Sequence, residues 1–543
     1  MAESVASFDV VVVGGGISGL TTAYHLKKRD KNLRVIVLEA KDRVGGRTQT
    51  VPLKSAGGND KWDVGGQWVG RCQPHIMSLL LELGLETHPQ YIDGRKVQQL
   101  SGPEISTYKG DLPSLSVFAL LDLHRFISKV DNLRKLVNPE DPYACSMAEE
   151  WDSMTAEHFI QEHCYTQGAI DAVIVANRTI FGVESSQISC LFWFMYISAA
   201  DGILKLCEAK EFTAQEGTIK GGAQQVSELL AKNIGQDNVR LGEPVASIEQ
   251  DDKGVNVTTA AGQIYSAKFV VLALPPPMMG LIQFSPPLPE TKQQLCKRMA
   301  LGNYLKIIIT YQEAFWRKNG YSGEVVTNGG MTAVPHCSAG PLCIAYDACL
   351  SSGSPALLGF IAGDIKVEWT QQSPEARRRA VLDQLADYFG KSVYSYLDYV
   401  EKDWNQEPYS LGGPVCTMPA GTMPIFAKAI RQPFGRLHFA GTETATSWCG
   451  YMNGAVQAGL RAAAELLEKL RPQVLSSEDY GALEGSRPVT QPAQGLSKPR
   501  WMLSPRKANR APGFLKWTIG FCMLVGAVFI LKRNKFFEFL NKF

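Results

Sequence analysis

The run Asp9-Val10-Val11-Val12-Val13-Gly14-Gly15-Gly16-Ile17-Ser18-Gly19-Leu20 constrains this chain more than any other stretch. Four consecutive valines suit a strand covered on both faces. The glycines that follow turn the chain directly into a helix, Leu20 to Lys28. Gly14 permits the tight turn, Gly16 lets the backbone approach a pyrophosphate, and Gly19 lets helix and strand pack closely. Ile17 and Ser18 lie at the helix opening, where main-chain amides face an anion. A second strand, Leu33 to Leu38, ends in Glu39 and Ala40. That carboxylate lies about 20 residues past the glycines, where a dinucleotide site places its acceptor for ribose hydroxyls. Strand, glycines, helix and acid in register point to a bound dinucleotide.

A second glycine pair follows in Lys41-Asp42-Arg43-Val44-Gly45-Gly46-Arg47-Thr48, and a nicotinamide site has no need of it. Further on come Asp63-Val64-Gly65-Gly66-Gln67-Trp68-Val69-Gly70, Pro286-Pro287-Leu288-Pro289 and Phe315-Trp316-Arg317-Lys318. The late segments are Leu437-His438-Phe439-Ala440-Gly441-Thr442-Glu443 and Trp448-Cys449-Gly450-Tyr451-Met452-Asn453-Gly454-Ala455-Val456. Together these segments resemble the flavin-containing amine oxidase family, and within it the monoamine oxidases. The resemblance spans residues 8 to 470. It implies FAD as cofactor. No second strand–GxGxxG–helix unit is present for a nicotinamide, so dioxygen is the expected electron acceptor.

The chain has 543 residues, 45% hydrophobic and 20% charged, enough for two or three packed domains. Its net charge of +2 provides no basic field for nucleic acid. Twelve cysteines are scattered without a CxxC pair, and eight histidines without ligand spacing. Neither a disulfide framework nor a metal centre is expected, and the body suits a reducing compartment. Met1 to Phe8 carry no apolar run, so no cleavable secretory or mitochondrial presequence is expected.

The expected fold class is α/β: a discontinuous Rossmann-type FAD-binding domain, an α+β substrate domain and a C-terminal transmembrane helix. Residues 1–90, 216–300 and 401–470 form the first, and 91–215 and 301–400 the second. Strands are expected at Val239 to Leu241, Val245 to Glu249, Val255 to Thr259, Phe269 to Leu274, Tyr304 to Tyr311 and Ala356 to Ile361. Apolar residues at three- and four-residue spacing predict a helix over Leu115 to Leu136. Residues 471–512, rich in Pro, Ser, Gly, Gln and basic residues, read as an extended linker. The segment 513–533 then carries an uncharged run, Trp517 to Leu531, with Lys516 before it and Lys532 and Arg533 after it. It is short for a span of about 20 residues, but Phe514, Leu515 and a snorkelling Lys516 extend it. It resembles the tail anchors of mitochondrial outer-membrane proteins, with the body facing the cytosol; the endoplasmic reticulum is the alternative membrane.

The cofactor set is therefore Gly14, Gly16, Ile17, Ser18, Gly19, Glu39, Ala40 and Arg47, whose guanidinium suits phosphate oxygens. The resemblance adds Gly66 and Gln67 beside the isoalloxazine, Val245 at the adenine end, Glu443 near the ribityl and pyrophosphate, and Met452. Lys306 lies in the apolar strand Tyr304-Leu305-Lys306-Ile307-Ile308-Ile309, where a lysine is costly unless paired or wetted. The family places a lysine there, bonded through water to flavin N5. Trp404 matches a tryptophan beside the flavin, and Tyr451 one of two tyrosines that cage the amine. These three are the catalytic candidates.

The chain departs from the family at the covalent-flavin segment. Monoamine oxidases carry Ser-Gly-Gly-Cys-Tyr, whereas here Tyr409-Ser410-Leu411-Gly412-Gly413-Pro414-Val415-Cys416 stands. Without gaps, Gly413 takes the cysteine position and Pro414 that of the second tyrosine, while Cys416 falls three residues downstream. Noncovalent FAD is expected, and the second wall of the cage is left open. The implied reaction is oxidative deamination of primary or secondary arylalkyl or alkyl monoamines by dioxygen, giving aldehyde, ammonia or amine, and hydrogen peroxide. The α-carbon hydrogen would pass to N5 as hydride or by a polar nucleophilic route. A polyamine or amino-acid oxidase is the nearest alternative, and a tethered FAD-binding protein without turnover the alternative of another class. A homodimer is a family expectation.

Overall fold

Val10 to Val13 are buried because the strand holding them, Ser7–Val13, is covered on both faces: Val10 and Val12 enter one core, Val11 and Val13 the other. The computed structural model describes residues 7–484, apart from 101, 111 and 112. Ser7–Val13 pairs with Val35–Leu38 on one side and Ile264–Leu272 on the other, within an eight-stranded sheet. Val239–Arg240 continues the parallel set. The long strand Ile264–Leu272 is shared: Ile264 to Ala267 pair antiparallel with Val255–Thr259, while Val270 to Leu272 pair in parallel with Leu437–Phe439. Val245–Gln250 and Gln283–Ser285 complete the sheet. Strands from three distant parts of the sequence thus meet in one sheet.

The helix Ile17–Arg29 packs against the late helix Met452–Leu470, and both join one apolar core with Val10, Val12, Val35 and Val37. Their contact is close because Gly459 has no side chain; a Cβ there would lie 2.5 Å from the Ser18 carbonyl oxygen.

A second, seven-stranded sheet runs in the order 396–403, 304–311, 356–362, 344–347, 321–327, 95–99, 106–108. Its pairings are antiparallel except between Tyr321–Thr327 and Arg95–Gln99. The strand Tyr304–Tyr311 is buried on both faces. Leu305, Ile307, Ile309 and Tyr311 enter one core, and Tyr304 and Ile308 the other. The period of two puts Lys306 on the face of Tyr304 and Ile308. That face also holds Trp404, Tyr346 and Phe360.

The helix expected over Leu115 to Leu136 is Val117–Leu133, capped by the Ser116 hydroxyl and followed by a 3₁₀ turn, Arg134–Leu136. The strand expected from Phe269 begins earlier, at Ile264, because its first half pairs with a hairpin partner. The linker expected from residue 471 needs correction. Pro472–Val474 form a 3₁₀ turn and Ser477–Glu484 a helix. Asp479 holds this helix to the protein body through His25 at 2.6 Å and Arg29 at 3.0 Å. One buried acid docks a segment that has no apolar periodicity. The remainder of the linker and the anchor segment 513–533 lie outside the described residues. Among the described residues no helix is long and apolar enough to cross a membrane.

Candidate active site

The glycine turn and Glu39 are built as one unit. Gly14 N–H donates to the Leu38 carbonyl, and Gly15 N–H to Glu39 Oε2 at 2.6 Å. Lys41 N–H donates to Glu39 Oε1 at 2.9 Å, which fixes Ala40 between the two. Burial pushes the Glu39 carboxyl up, against these bonds. Gly14 has φ +107°, and a Cβ on Gly19 would lie 2.1 Å from the Gly14 carbonyl oxygen, so strand and helix pack through bare backbone. Gly16 N-caps the helix Ile17–Arg29 with no side chain of its own, and Ile17 and Ser18 form the first turn. Ser18 Oγ accepts from Gly441 N–H at 2.9 Å, which ties the Gly-Thr-Glu loop to this helix.

The second glycine pair faces the first. Gly45 N–H donates to the Gly15 carbonyl at 2.9 Å, and a Cβ on Gly16 would find only Gly46 Cα, at 3.9 Å. Gly66 is exposed although Asp63, Val64 and Gln67 around it are buried. A groove lined by bare glycine backbone at Gly16, Gly46 and Gly66, with orphan amides at one helix end, fits a dinucleotide. Val245 opens the strand Val245–Gln250, beyond the Glu243 N–H that donates to the Glu39 carbonyl. It therefore lies on the Glu39 side of the groove.

Arg47 and Glu443 form a two-armed ion pair at the groove: Nη1 donates to Oε1 at 2.5 Å and Nη2 to Oε2 at 3.0 Å. Arg47 Nη1 also donates to the Pro414 carbonyl at 2.8 Å. Burial pushes the Glu443 carboxyl up, but Arg47 outweighs it and holds the group below its usual range. Cys416 is buried in the short strand Cys416–Thr417, and the Glu443 carboxylate is a charged neighbour of its thiol. Burial, together with that neighbour, pushes the thiol well up.

Lys306 is buried, with Nζ donating to the Gly65 carbonyl at 3.0 Å and to Gln67 Oε1. Trp68 and Phe360 each lie with ring centroids 5.7 Å from Nζ. Burial lowers the amine to about 7, with Asp63 pulling the other way. Trp404 is held by its indole N–H on the Val64 carbonyl at 2.9 Å and packs against Gly65, where a Cβ would lie 2.9 Å from the ring. Lys306 and Trp404 thus converge on the Val64-Gly65-Gly66-Gln67 segment.

Tyr451 N-caps the helix Met452–Leu470, placing Met452 in its first turn. Thr442 Oγ1 donates to the Tyr451 carbonyl at 2.8 Å, next to Glu443. The rings packed on Tyr451 are Trp448 at 5.1 Å and Tyr196 at 6.3 Å. Tyr196 comes from the helix Cys190–Ala199, buried at every position but Ser198. The sequence reading had no periodic signal by which to single it out.

Residues 17–467 match the family model of flavin containing amine oxidoreductases. The chain belongs to this family. It is 37% identical over 466 residues to a "Probable flavin-containing monoamine oxidase A" of Dictyostelium discoideum, covering 85% of this chain and 98% of that protein. It is 36% identical to amine oxidase [flavin-containing] A of Canis lupus familiaris, covering 88% and 90%. Among solved structures, cyclohexylamine oxidase from Brevibacterium oxydans superimposes with a TM-score of 0.78 at 32% identity, covering 86% of this chain and all of that one. As a flavin amine oxidoreductase, the protein is an FAD-dependent enzyme that oxidises amines.

Other parts of the amine oxidoreductase site escaped the sequence reading. Glu407 accepts from Lys41 at 2.8 Å and Arg43 at 2.7 Å, and also from Lys402. Burial pushes Glu407 up, but the three cations bring it down to about 2. This cluster pins the loop after Glu39 to the Trp404 segment. The signal for it was present only as ordinary charged residues, with Lys41 and Arg43 more than 360 positions from Glu407.

Proposed function

We propose that this amine oxidoreductase acts on primary or secondary arylalkyl or alkyl monoamines. The observation that carries the reading is the ring-lined wall around one buried amine. Trp68 packs with Tyr346 at 5.3 Å and Phe360 at 6.0 Å, and Phe360 with Tyr304 at 5.2 Å, all on the Lys306 face of the second sheet. Such a wall suits a substrate with one amine and an apolar remainder.

Gly14, Gly16, Ile17, Ser18, Gly19, Glu39, Ala40 and Val245 would hold the nucleotide half of the cofactor. Arg47, Glu443, Gly66, Gln67 and Met452 would hold the flavin half. FAD supplies the acceptor for the hydrogen removed from the amine α-carbon. Trp404 and Tyr451 orient rings against the reacting centre. Lys306 would hold a proton beside Gly65 and Gln67, available when dioxygen takes up the electrons of the reduced flavin. FAD is held noncovalently, because Gly413 stands at the linking cysteine position and Cys416 lies three residues downstream, buried in the strand Cys416–Thr417. The segment 513–533, with its uncharged run Trp517 to Leu531, anchors the enzyme to the mitochondrial outer membrane, body in the cytosol, with the endoplasmic reticulum as the alternative.

Anaerobic mixing with arylalkyl monoamines, polyamines and amino acids, followed by flavin absorbance, tests the substrate class. Bleaching by monoamines is expected. Bleaching by polyamines or amino acids alone would overturn the proposal, and deletion of 513–543 with membrane association retained would overturn the anchor.

A further inference from the structure

A cavity lies one residue away from Lys306, with Gln67 between them. It is lined by Lys61, Asp63, Gln67, His88, Asp347 and Ala348, among others. Two of its lining residues reach the Lys306 environment. Gln67 Oε1 accepts directly from Lys306 Nζ, and Asp63 stands two residues before Gly65, whose carbonyl is the other acceptor of that amine. Asp63 is itself buried, and it is rigidly held. Oδ1 accepts from Thr50 Oγ1 at 2.6 Å and from Ala223 N–H at 2.9 Å. Neither partner is charged, so no salt bridge compensates the burial.

We propose that this cavity is the port through which Lys306 exchanges protons with solvent, and that Asp63 is the positioning residue that sets the charge Lys306 carries. Burial raises the Asp63 carboxyl to about 6 and lowers the Lys306 amine to about 7. Each group favours the charged form of the other. Acid and base values that approach each other near neutrality let a proton move between solvent, carboxyl and amine with little driving force either way. Only O–H and N–H bonds change in that exchange. Reduction of dioxygen to hydrogen peroxide by the family's chemistry consumes protons, and a buried amine must be recharged after each turnover.

The other charged groups near the pair are placed for different work. Asp347 is taken up by Arg317 at 2.6 and 2.7 Å, and by Trp316. Lys402, across the sheet from Lys306, is paired with Glu407. Lys61 and His88 line the cavity, and burial lowers His88.

The inference rests on the role proposed for Lys306, but its test reads the amine itself. Cyanate carbamylates only neutral amines, and peptide mass spectrometry of the holoenzyme gives the extent at Lys306 across a pH series. In Asp63→Asn the midpoint should move to lower pH, with Asp63→Glu restoring it. An unmoved midpoint would overturn the role of Asp63. Ala348→Phe, which narrows the cavity, should slow Lys306 carbamylation severalfold without moving the midpoint. An unchanged rate would overturn the port, and this arm stands even where Asp63→Asn does not fold. Failure of the monoamine panel with these results intact would remove the substrate reading and leave the port.

Discussion

Arg47 clasps Glu443 with both arms of its guanidinium, across 396 residues of sequence, at the edge of the glycine-lined groove. The geometry joins the second glycine pair of the N-terminal unit to the Gly-Thr-Glu loop near the end of the fold. Glu443 is 1% exposed and Arg47 22% in their side chains, so the pair is largely but not wholly withdrawn from water.

Glu443→Gln leaves Arg47 without its counter-charge. Breaking a fully buried pair costs about 3–5 kcal/mol, and the partial exposure of Arg47 reduces this to roughly 1–3 kcal/mol. The variant should melt earlier and lose FAD on gel filtration. The contribution also depends on pH. Arg47 depresses the Glu443 carboxyl in the fold, so its stabilisation is complete above the ordinary carboxylate range and is lost as pH falls through the depressed value. Thermal melts of wild type and Glu443→Gln should therefore converge in acid.

Lys306→Met should slow flavin reoxidation by dioxygen on the order of 10²-fold, the usual effect of removing one placed charge. Reduction by amine should change much less. The amine is lowered to about 7, so the ammonium is present below that value and lost above it. The wild-type reoxidation rate should fall as pH rises through neutrality, and the variant should be flat. Stopped-flow oxidation of the reduced enzyme measures both; a Lys306→Met rate equal to wild type would remove Lys306 from this role.

Acid precipitation should leave the flavin in the supernatant, both for the wild type and for Cys416→Ala. Flavin in the wild-type pellet that Cys416→Ala releases would make Cys416 a covalent link.

Much of this was legible in the sequence because it is local. The four valines, three glycines and Glu39 are one continuous unit, and period-two alternation puts Lys306 on the face that holds Trp404. What was not legible depends on long-range pairing. Glu407 meets Lys41 and Arg43 from more than 360 residues away. Tyr196 sits in a helix buried at every position but Ser198, so no amphipathic pattern shows which ring faces Tyr451. The helix Ser477–Glu484 was missed because its docking is polar.

That docking is the last testable feature. Asp479 Oδ1 meets His25 Nε2 at 2.6 Å, and Oδ2 accepts from Ser476 N–H at 2.8 Å. Burial depresses His25 below its ordinary 6.5, outweighing the opposing pull of Asp479. Asp479 is also depressed, its hydrogen bonds to Ser476 and His25 outweighing burial. Both shifts have the same sign: the stabilisation is present above each group's ordinary value and is lost as pH falls through the depressed one. The His25 contribution therefore begins to fade below about 6.5, and that of Asp479 only in stronger acid. Hydrogen exchange at 477–484 should accelerate on mild acidification while Val10 to Val13 stay protected. Asp479→Ala should expose the helix to exchange already at neutral pH, because it removes the acceptor shared by His25, Arg29 and Ser476. Equal protection in Asp479→Ala and wild type would mean that the helix is held by its apolar contacts instead.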